Sequence, residues 1–319
     1  MGKALFLLVA ASLALSLVSL DVQATTGRKT VSTKKQPVKP VAKQSTRTRL
    51  AHRQRGEPRL LLDSDGDPIL RSASALVLDQ SSGAVLFEKN ASAQLPIASI
   101  TKLMTAMVVL DAKLDMQEEL AIGKEDVDTH KGTTSRLRVG THLTREEMLR
   151  LALMASENRA AAALSRHYPG GQQEFIAAMN RKAAELGLAE THFEDPTGLT
   201  AANVSSARDL TKLAATAHGY PEIREFSTAP KHEVKIGRRM HAFYNTNRLV
   251  NNDKWEIGLS KTGYISEAGK CLVMQTWLNN KPMIIVLLDS WGKLTRIADA
   301  NRIRRWIESA SLPQRPTAS

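Results

Sequence analysis

Two short apolar runs, Ala73–Leu78 and Ala84–Phe87, flank the turn-forming stretch Asp79-Gln80-Ser81-Ser82-Gly83 and predict a strand hairpin. The spacing then changes. From Thr101 to Leu114 the apolar positions are Leu103, Ala106, Met107, Leu110 and Leu114, the period of a helix with one buried face. A polar stretch containing Gly132 and Gly140 leads to Thr144-Arg145-Glu146-Glu147, a capping box that opens a helix to about Met154. Further helical patterns cover Arg159–His167, Phe175 to Leu186 closed by Gly187, and Ser206 to about His218, where Gly219 and Pro221 end the pattern.

The last third alternates differently. Glu233–Ile236 and Arg239–Phe243 flank Gly237 as a small hairpin, and Ile257–Lys261, Cys271–Leu278 and Pro282–Leu288 read as three successive strands, the last two joined at Asn279-Asn280. Leu294, Ile297, Ala300, Ile303, Trp306 and Ile307 then mark a closing amphipathic helix. Strands at both ends and a helical middle predict an α/β chain of the α+β type. Its single, mostly antiparallel sheet is built from the N- and C-terminal strands and covered by helices. The expected division is 1–24 as a signal segment, 25–60 as a basic arm, 61–312 as one catalytic domain and 313–319 as a short tail.

The N-terminus and the charge add a compartment. Met1-Gly2-Lys3, the apolar run Ala4–Leu20, and Val22 and Ala24 at the minus-three and minus-one places read as a secretory signal cut after Ala24. An uncleaved anchor is the alternative, since the run is nearly long enough to span a bilayer. Of the formal charge of +12, the stretch Thr25–Leu60 carries +10, from eleven Lys or Arg against one Glu, which leaves about +2 for the rest. That stretch also holds three prolines and no aromatic residue, the composition of a disordered arm attracted to anionic phospholipid or an anionic wall polymer. Nucleic acid is not expected as a partner of an exported chain. The single cysteine, Cys271, excludes an intramolecular disulfide and reads as a small core residue.

Candidate chemistry begins at Ser99 and Lys102, three apart at the start of the Thr101–Leu114 helix. A serine hydroxyl needs a base, and a lysine shielded from water has its pKa lowered enough to serve. Two other short motifs follow in order: Ser156-Glu157-Asn158 at a helix junction, and Lys261-Thr262-Gly263 at the end of a predicted strand. The first offers a hydroxyl and an amide to one cleft. The second offers a cation, a hydroxyl and a residue small enough to let a ligand lie along the backbone.

Ser-x-x-Lys, Ser-x-Asn and Lys-Thr-Gly in this order resemble the active-site set of the penicillin-binding proteins and serine β-lactamases. The longer stretches Pro96 to Thr105, Leu153 to Asn158, Asp195-Pro196-Thr197-Gly198-Leu199, Asn245-Thr246-Asn247 and Lys261 to Tyr264 resemble the low-molecular-weight DD-peptidases. Within these the similarity is to the D-alanyl-D-alanine endopeptidase group, penicillin-binding proteins 7 and 8, and it covers about Ser72 to Ser311. The resemblance implies a periplasmic enzyme that cleaves D-alanyl cross-links between peptidoglycan stem peptides and is acylated by β-lactams. It implies Ser99 as nucleophile, Lys102 as general base, Ser156 as proton carrier and Asn158 as a substrate and lysine anchor. Lys261, Thr262 and Gly263 would bind substrate, and the backbone N–H groups of Ser99 and Tyr264 would form the oxyanion hole. No cofactor and no metal are implied.

A D-alanyl-D-alanine carboxypeptidase is the alternative within this class, and the end of the chain soon after the last helix favours the endopeptidase. A β-lactamase comes third, because Glu157 stands where the best-known lactamase pattern has Asp and no extra glutamate is placed to activate a deacylating water. A non-catalytic wall-binding module is the reading from another class. Glu157 itself is expected on a helix surface, facing away from the serine, and Asp195–Leu199 is expected as a turn that shapes the cleft. Gly263 with Gly269-Lys270 misses the phosphate-loop spacing and lacks its Ser or Thr, and the eight histidines show no ligand spacing for zinc.

Overall fold

The computed structural model describes residues 60–310. The signal segment, the basic arm up to residue 59 and the tail 313–319 lie outside the described residues. Strands β1 (Ser72–Asp79) and β2 (Val85–Lys89) form the expected hairpin, followed by the short β3 (Leu95–Pro96). A 3-10 turn over Ala98–Thr101 feeds directly into helix α1 (Lys102–Asp111). Next come the short strands β4 (Glu119–Ala121) and β5 (His142–Thr144), then α2 (Arg145–Met154), α3 (Asn158–Arg166) and α4 (Gly171–Glu185). After β6 (Val204–Ser205), α5 (Ala207–Ala217) and α6 (Pro221–Thr228) complete the helical middle. The chain closes with the hairpin β7 (Lys231–Ile236) and β8 (Arg239–Tyr244), the three ten-residue strands β9 (Glu256–Ile265), β10 (Gly269–Leu278) and β11 (Lys281–Ser290), and α7 (Thr295–Ala310).

The main sheet has the order β2-β1-β11-β10-β9 with every pairing antiparallel, so the two ends of the chain meet at its centre, where Leu76 pairs with Val286. Period-two alternation explains the two cores. Ile284, Val286 and Leu288 of β11 face the helical middle beside Leu103, Met107 and Leu210, while Ile285 and Leu287 face Ala300, Ile303 and Ile307 of α7. A strand covered on both faces has no polar side to show, which is why β11 reads as a continuous apolar run and β10 as one interrupted only by the buried Gln275 and Thr276. Asn279 and Asn280 both adopt positive φ, 51° and 61°, as a tight hairpin turn requires.

Three elements differ from expectation. Helix α1 stops at Asp111 rather than Leu114, because Lys113 turns into the left-handed region at φ 51°. Pro221 begins a helix instead of only ending one: it occupies the first turn of α6, where a missing N–H costs nothing. Strand β9 runs on to Ile265, four residues past Lys261, so Lys-Thr-Gly lies within the sheet's edge strand and not at a strand end. The small ribbons β3–β6 and β4–β5 are two and three residues long, too short for a periodic signal. Among the described residues no helix is long and apolar enough to cross a membrane.

Candidate active site

The turn that carries Ser99 is held open by its surroundings. Ala98 has φ 48°, a conformation that costs an alanine roughly 1 to 2 kcal/mol. The Thr101 hydroxyl donates to the Ala98 carbonyl at 2.8 Å, and buried Asn203 donates to the Thr101 hydroxyl at 3.0 Å. In a 3-10 turn residues i and i+3 eclipse, so Ser99 and Lys102 superpose more closely than in an α-helix.

Lys102 is fully buried, and its Nζ donates to Ser99 Oγ at 2.9 Å, to Asn158 Oδ1 at 2.7 Å and to the Thr197 carbonyl at 2.6 Å. Burial lowers its pKa from the ordinary lysine value to about 7, against the opposing pull of Asp195 and Glu157. This set has a chemical consequence. The carbonyl of Thr197 and the amide oxygen of Asn158 can only accept, so they keep two N–H bonds of a neutral amine and leave its lone pair facing the serine hydroxyl.

The second lysine repeats the pattern across the cleft. Lys261 Nζ, also buried, donates to Ser156 Oγ at 2.9 Å and to the Thr262 carbonyl at 3.1 Å. Burial holds its pKa well below the usual range, and the charges of Lys102 and Arg296 push the same way. Ser156 sits at φ 61° between α2 and α3, a left-handed conformation that aims its side chain into the cleft rather than along either helix. The Thr262 hydroxyl lies 2.7 Å from the Thr246 hydroxyl, whose backbone N–H is tied to the Met154 carbonyl at 3.1 Å.

Gly263 explains its own identity. A Cβ there would lie 2.8 Å from the Ile97 carbonyl oxygen and 3.2 Å from the Ser99 nitrogen, so only glycine lets the edge of β9 approach the serine turn. Tyr264 follows, 61% exposed, with the Lys270 ammonium 3.9 Å from its ring centroid, which leaves the role expected of Tyr264 to its backbone.

The predicted residues therefore converge: Ser99, Lys102, Ser156, Asn158, Lys261, Thr262 and Gly263 share one cleft. Glu157 corrects an expectation. It is half-buried rather than a surface carboxylate, takes a 2.6 Å hydrogen bond from Ser135, and has its pKa raised by burial. Cys271 is buried with its thiol pushed up to about 11, as befits a core residue.

Sequence reasoning missed the structural weight of Thr197 and Gly198. Asp195 gathers the backbone N–H groups of Thr197, Gly198 and Thr200, which fixes the turn that presents the Thr197 carbonyl to Lys102. The signal available was Asp followed by Pro-Thr-Gly, a side-chain-capped turn. Thr133 was also missed; its hydroxyl accepts from Asn158 Nδ2 at 3.2 Å, so the amide's oxygen faces Lys102.

A serine hydroxyl against a buried lysine of lowered pKa, faced by a second lysine–serine pair on a sheet edge, is an arrangement suited to serine acyl transfer with a lysine as base. The D-alanyl-D-alanine carboxypeptidase family model of S11 peptidases matches residues 63–292, and the chain belongs to that family. It is a serine-type D-Ala-D-Ala peptidase. The chain is 50% identical over 252 residues to a D-alanyl-D-alanine endopeptidase of Pseudomonas aeruginosa, covering 78% of this chain and 81% of the relative. It is 47% identical over 254 residues to a D-alanyl-D-alanine endopeptidase of Escherichia coli K12, covering 79% and 82%. Among solved structures, the Streptomyces K15 DD-transpeptidase superposes with a TM-score of 0.71 at 29% identity, covering 76% of this chain and 98% of that one.

Proposed function

We propose that the chain is an exported DD-endopeptidase that hydrolyses D-alanyl cross-links between peptidoglycan stem peptides through an acyl-enzyme on Ser99. The observation that carries this reading is the hydrogen-bond set of Lys102, which leaves one direction for its lone pair, toward Ser99 Oγ. In the first step the Ser99 hydroxyl proton passes to Lys102 while Oγ bonds to the D-alanine carbonyl carbon. The oxyanion lies between the N–H groups of Ser99 and Tyr264, each donor contributing roughly 3 to 4 kcal/mol in sites of this type. The C–N bond then breaks as Ser156 gives its proton to the leaving amine, with Lys261 hydrogen-bonded behind it to resupply that proton. Water completes the cycle by the reverse path.

Lys261 and Thr262 suit the carboxylate carried by the leaving D-centre, a cation and a hydroxyl on one edge. β-Lactams, whose carbonyl and carboxylate have the same relation, acylate Ser99 in this reading. The names of the relatives at 50% and 47% identity support the endopeptidase over the carboxypeptidase, which relatives at 33% identity and below carry. The signal segment supports the periplasm as the site of action, and the basic arm supports contact with anionic membrane or wall. Incubation with a cross-linked dimer and with a pentapeptide monomer, read by product mass, tests the choice. Dimer cleaved to monomers is expected, and release of free D-alanine from the pentapeptide alone would replace the endopeptidase with a carboxypeptidase.

A further inference from the structure

Alternate residues of a regular strand share a side, so Ile257, Leu259 and Lys261 would lie on one face of β9. They do not. Ile257 packs against the core under α7 with Leu272 and Met274, whereas Leu259 packs into the helical core and Lys261 reaches Ser156 between α2 and α3. The switch falls at Gly258. Leu259 pairs with Gln275 and Ile257 with Thr276, which leaves Gly258 as one extra residue on β9, a β-bulge. The face that Lys261 presents is therefore fixed three residues ahead of it, and loss of the bulge would turn it to the other side.

The packing against this bulge is polar. A Cβ on Gly258 would lie 2.1 Å from Gln275 Oε1, 2.8 Å from His218 Nε2 and 2.8 Å from the Trp277 ring, so three side chains converge on one point. His218 caps the C-terminus of α5 and meets Trp277 edge-on, with ring centroids 6.0 Å apart. Gln275 is fully buried, and its Oε1 and Nε2, like His218 Nε2, have no hydrogen-bond partner among the described residues. The other buried polar atoms in that condition are scattered, one to a side chain. Three of them are guanidinium Nε atoms whose neighbouring nitrogens are bonded.

A buried amide and imidazole nitrogen left unpaired cost stability, and a bridging water with two to four polar partners removes that cost. Burial, with the charge of Arg224 acting the same way, holds the His218 pKa below its ordinary value; the Arg224 guanidinium donates to the His218 carbonyl at 2.7 Å. A neutral ring has one donor and one acceptor nitrogen, and water serves Nε2 in either tautomer.

We propose that Gln275, His218 and the Gly258 bulge form a binding site for one internal water molecule, and that this site makes Gln275 and His218 positioning residues for Lys261. The water ties the end of α5 to β10 opposite the bulge. Held there, the bulge stays at Gly258 and Lys261 stays on the side of Ser156. The positioning role rests on the reading of Lys261 as carboxylate anchor given above.

The test uses the full chain. A crystal structure of the wild type is expected to show a water within about 3.2 Å of His218 Nε2 and of one Gln275 amide atom. Gln275→Leu and His218→Phe remove the polar atoms and keep side chains of similar bulk, while His218→Gln keeps a polar group. For each, kcat/KM is measured on two synthetic cross-linked dimers that differ only at the leaving D-centre, a carboxylate in one and a carboxamide in the other. Fluorescent-penicillin labelling and thermal unfolding are followed in parallel. The preference for the carboxylate is expected to fall about tenfold in Gln275→Leu and His218→Phe, the scale of one charge-assisted hydrogen bond, and to persist in His218→Gln. A dry site, or Gln275 bonded directly to His218, overturns the water site. An unchanged preference in the folded Gln275→Leu and His218→Phe variants overturns the positioning role. A wild type that takes no label overturns the Ser99 reading and the positioning role together, while the density still decides the water site.

Discussion

Gly198 is the position where a single methyl group tests the architecture of the site. It sits at φ 80°, and a Cβ there would lie 1.9 Å from the Ala98 carbonyl oxygen and 2.9 Å from the Ser99 nitrogen. The first distance is about an ångström shorter than real carbon–oxygen contacts reach, so in Gly198→Ala either the Asp195–Thr200 turn or the serine turn must retreat by that amount. Either movement separates partners that now meet: one carries the Thr197 carbonyl away from Lys102, the other carries Ser99. A displacement of about 1 Å at a reacting centre costs about a hundredfold in rate.

The left-handed conformation alone adds roughly 1 to 2 kcal/mol of instability. Gly83→Ala isolates that contribution, because Gly83 has φ 73° with nothing within 4 Å of a Cβ. The assay is the second-order rate of acylation by fluorescent penicillin, paired with thermal unfolding. Both variants should lose comparable backbone stability, while only Gly198→Ala should acylate about a hundredfold more slowly. Acylation of folded Gly198→Ala at the wild-type rate would refute the close approach of the two turns.

Other outcomes follow from the same geometry. Acylation requires neutral Lys102, so its rate should rise with pH through about 7. Glu157→Gln removes a charge that raises the Lys102 pKa, so the midpoint should move to lower pH; a midpoint that stays or rises contradicts the base assignment. Lys261→Ala should slow every peptide substrate through the lost proton supply to Ser156, and slow those that keep the terminal carboxylate further than analogues that lack it; equal losses on both would remove the anchor role. Buried Asp299 accepts from the Ser72 N–H at 2.8 Å and the Ser72 hydroxyl at 2.7 Å, joining α7 to β1. Asp299→Ala should cost about 3 kcal/mol and lower Tm by about 6 to 12 °C, with penicillin acylation intact below the transition.

How much the chain disclosed depended on the range of each interaction. The antiparallel sheet was legible because β11 is a long apolar run and β10 a mostly apolar one joined to it at Asn279-Asn280, and the Ser99–Lys102 spacing because a single turn sets it. The convergence of Lys261 on Ser156 was legible only through the order of three motifs, since nothing local to either residue points to the other across 105 positions. Two kinds of feature were harder to read. The Asp-Pro-Thr-Gly stretch marked a turn, but the Thr197 carbonyl is backbone, so its contact with Lys102 depends on turn geometry and not on side-chain type. The Lys131–Glu267 ion pair joins two polar loops whose residues look like ordinary solvated surface. Glu157 was misread for a related reason: a carboxylate at a helix junction was taken by default as surface, whereas it lies half-buried and accepts from the Ser135 hydroxyl, a partner 22 residues away that nothing local signals.

The most direct test of the central claim is the intact mass of the protein after exposure to benzylpenicillin, followed by peptide mapping. The account predicts an increase of one penicillin per chain, located on the peptide bearing Ser99 and absent from Ser99→Ala. An unmodified wild type, or an adduct that persists on Ser99→Ala, would contradict it.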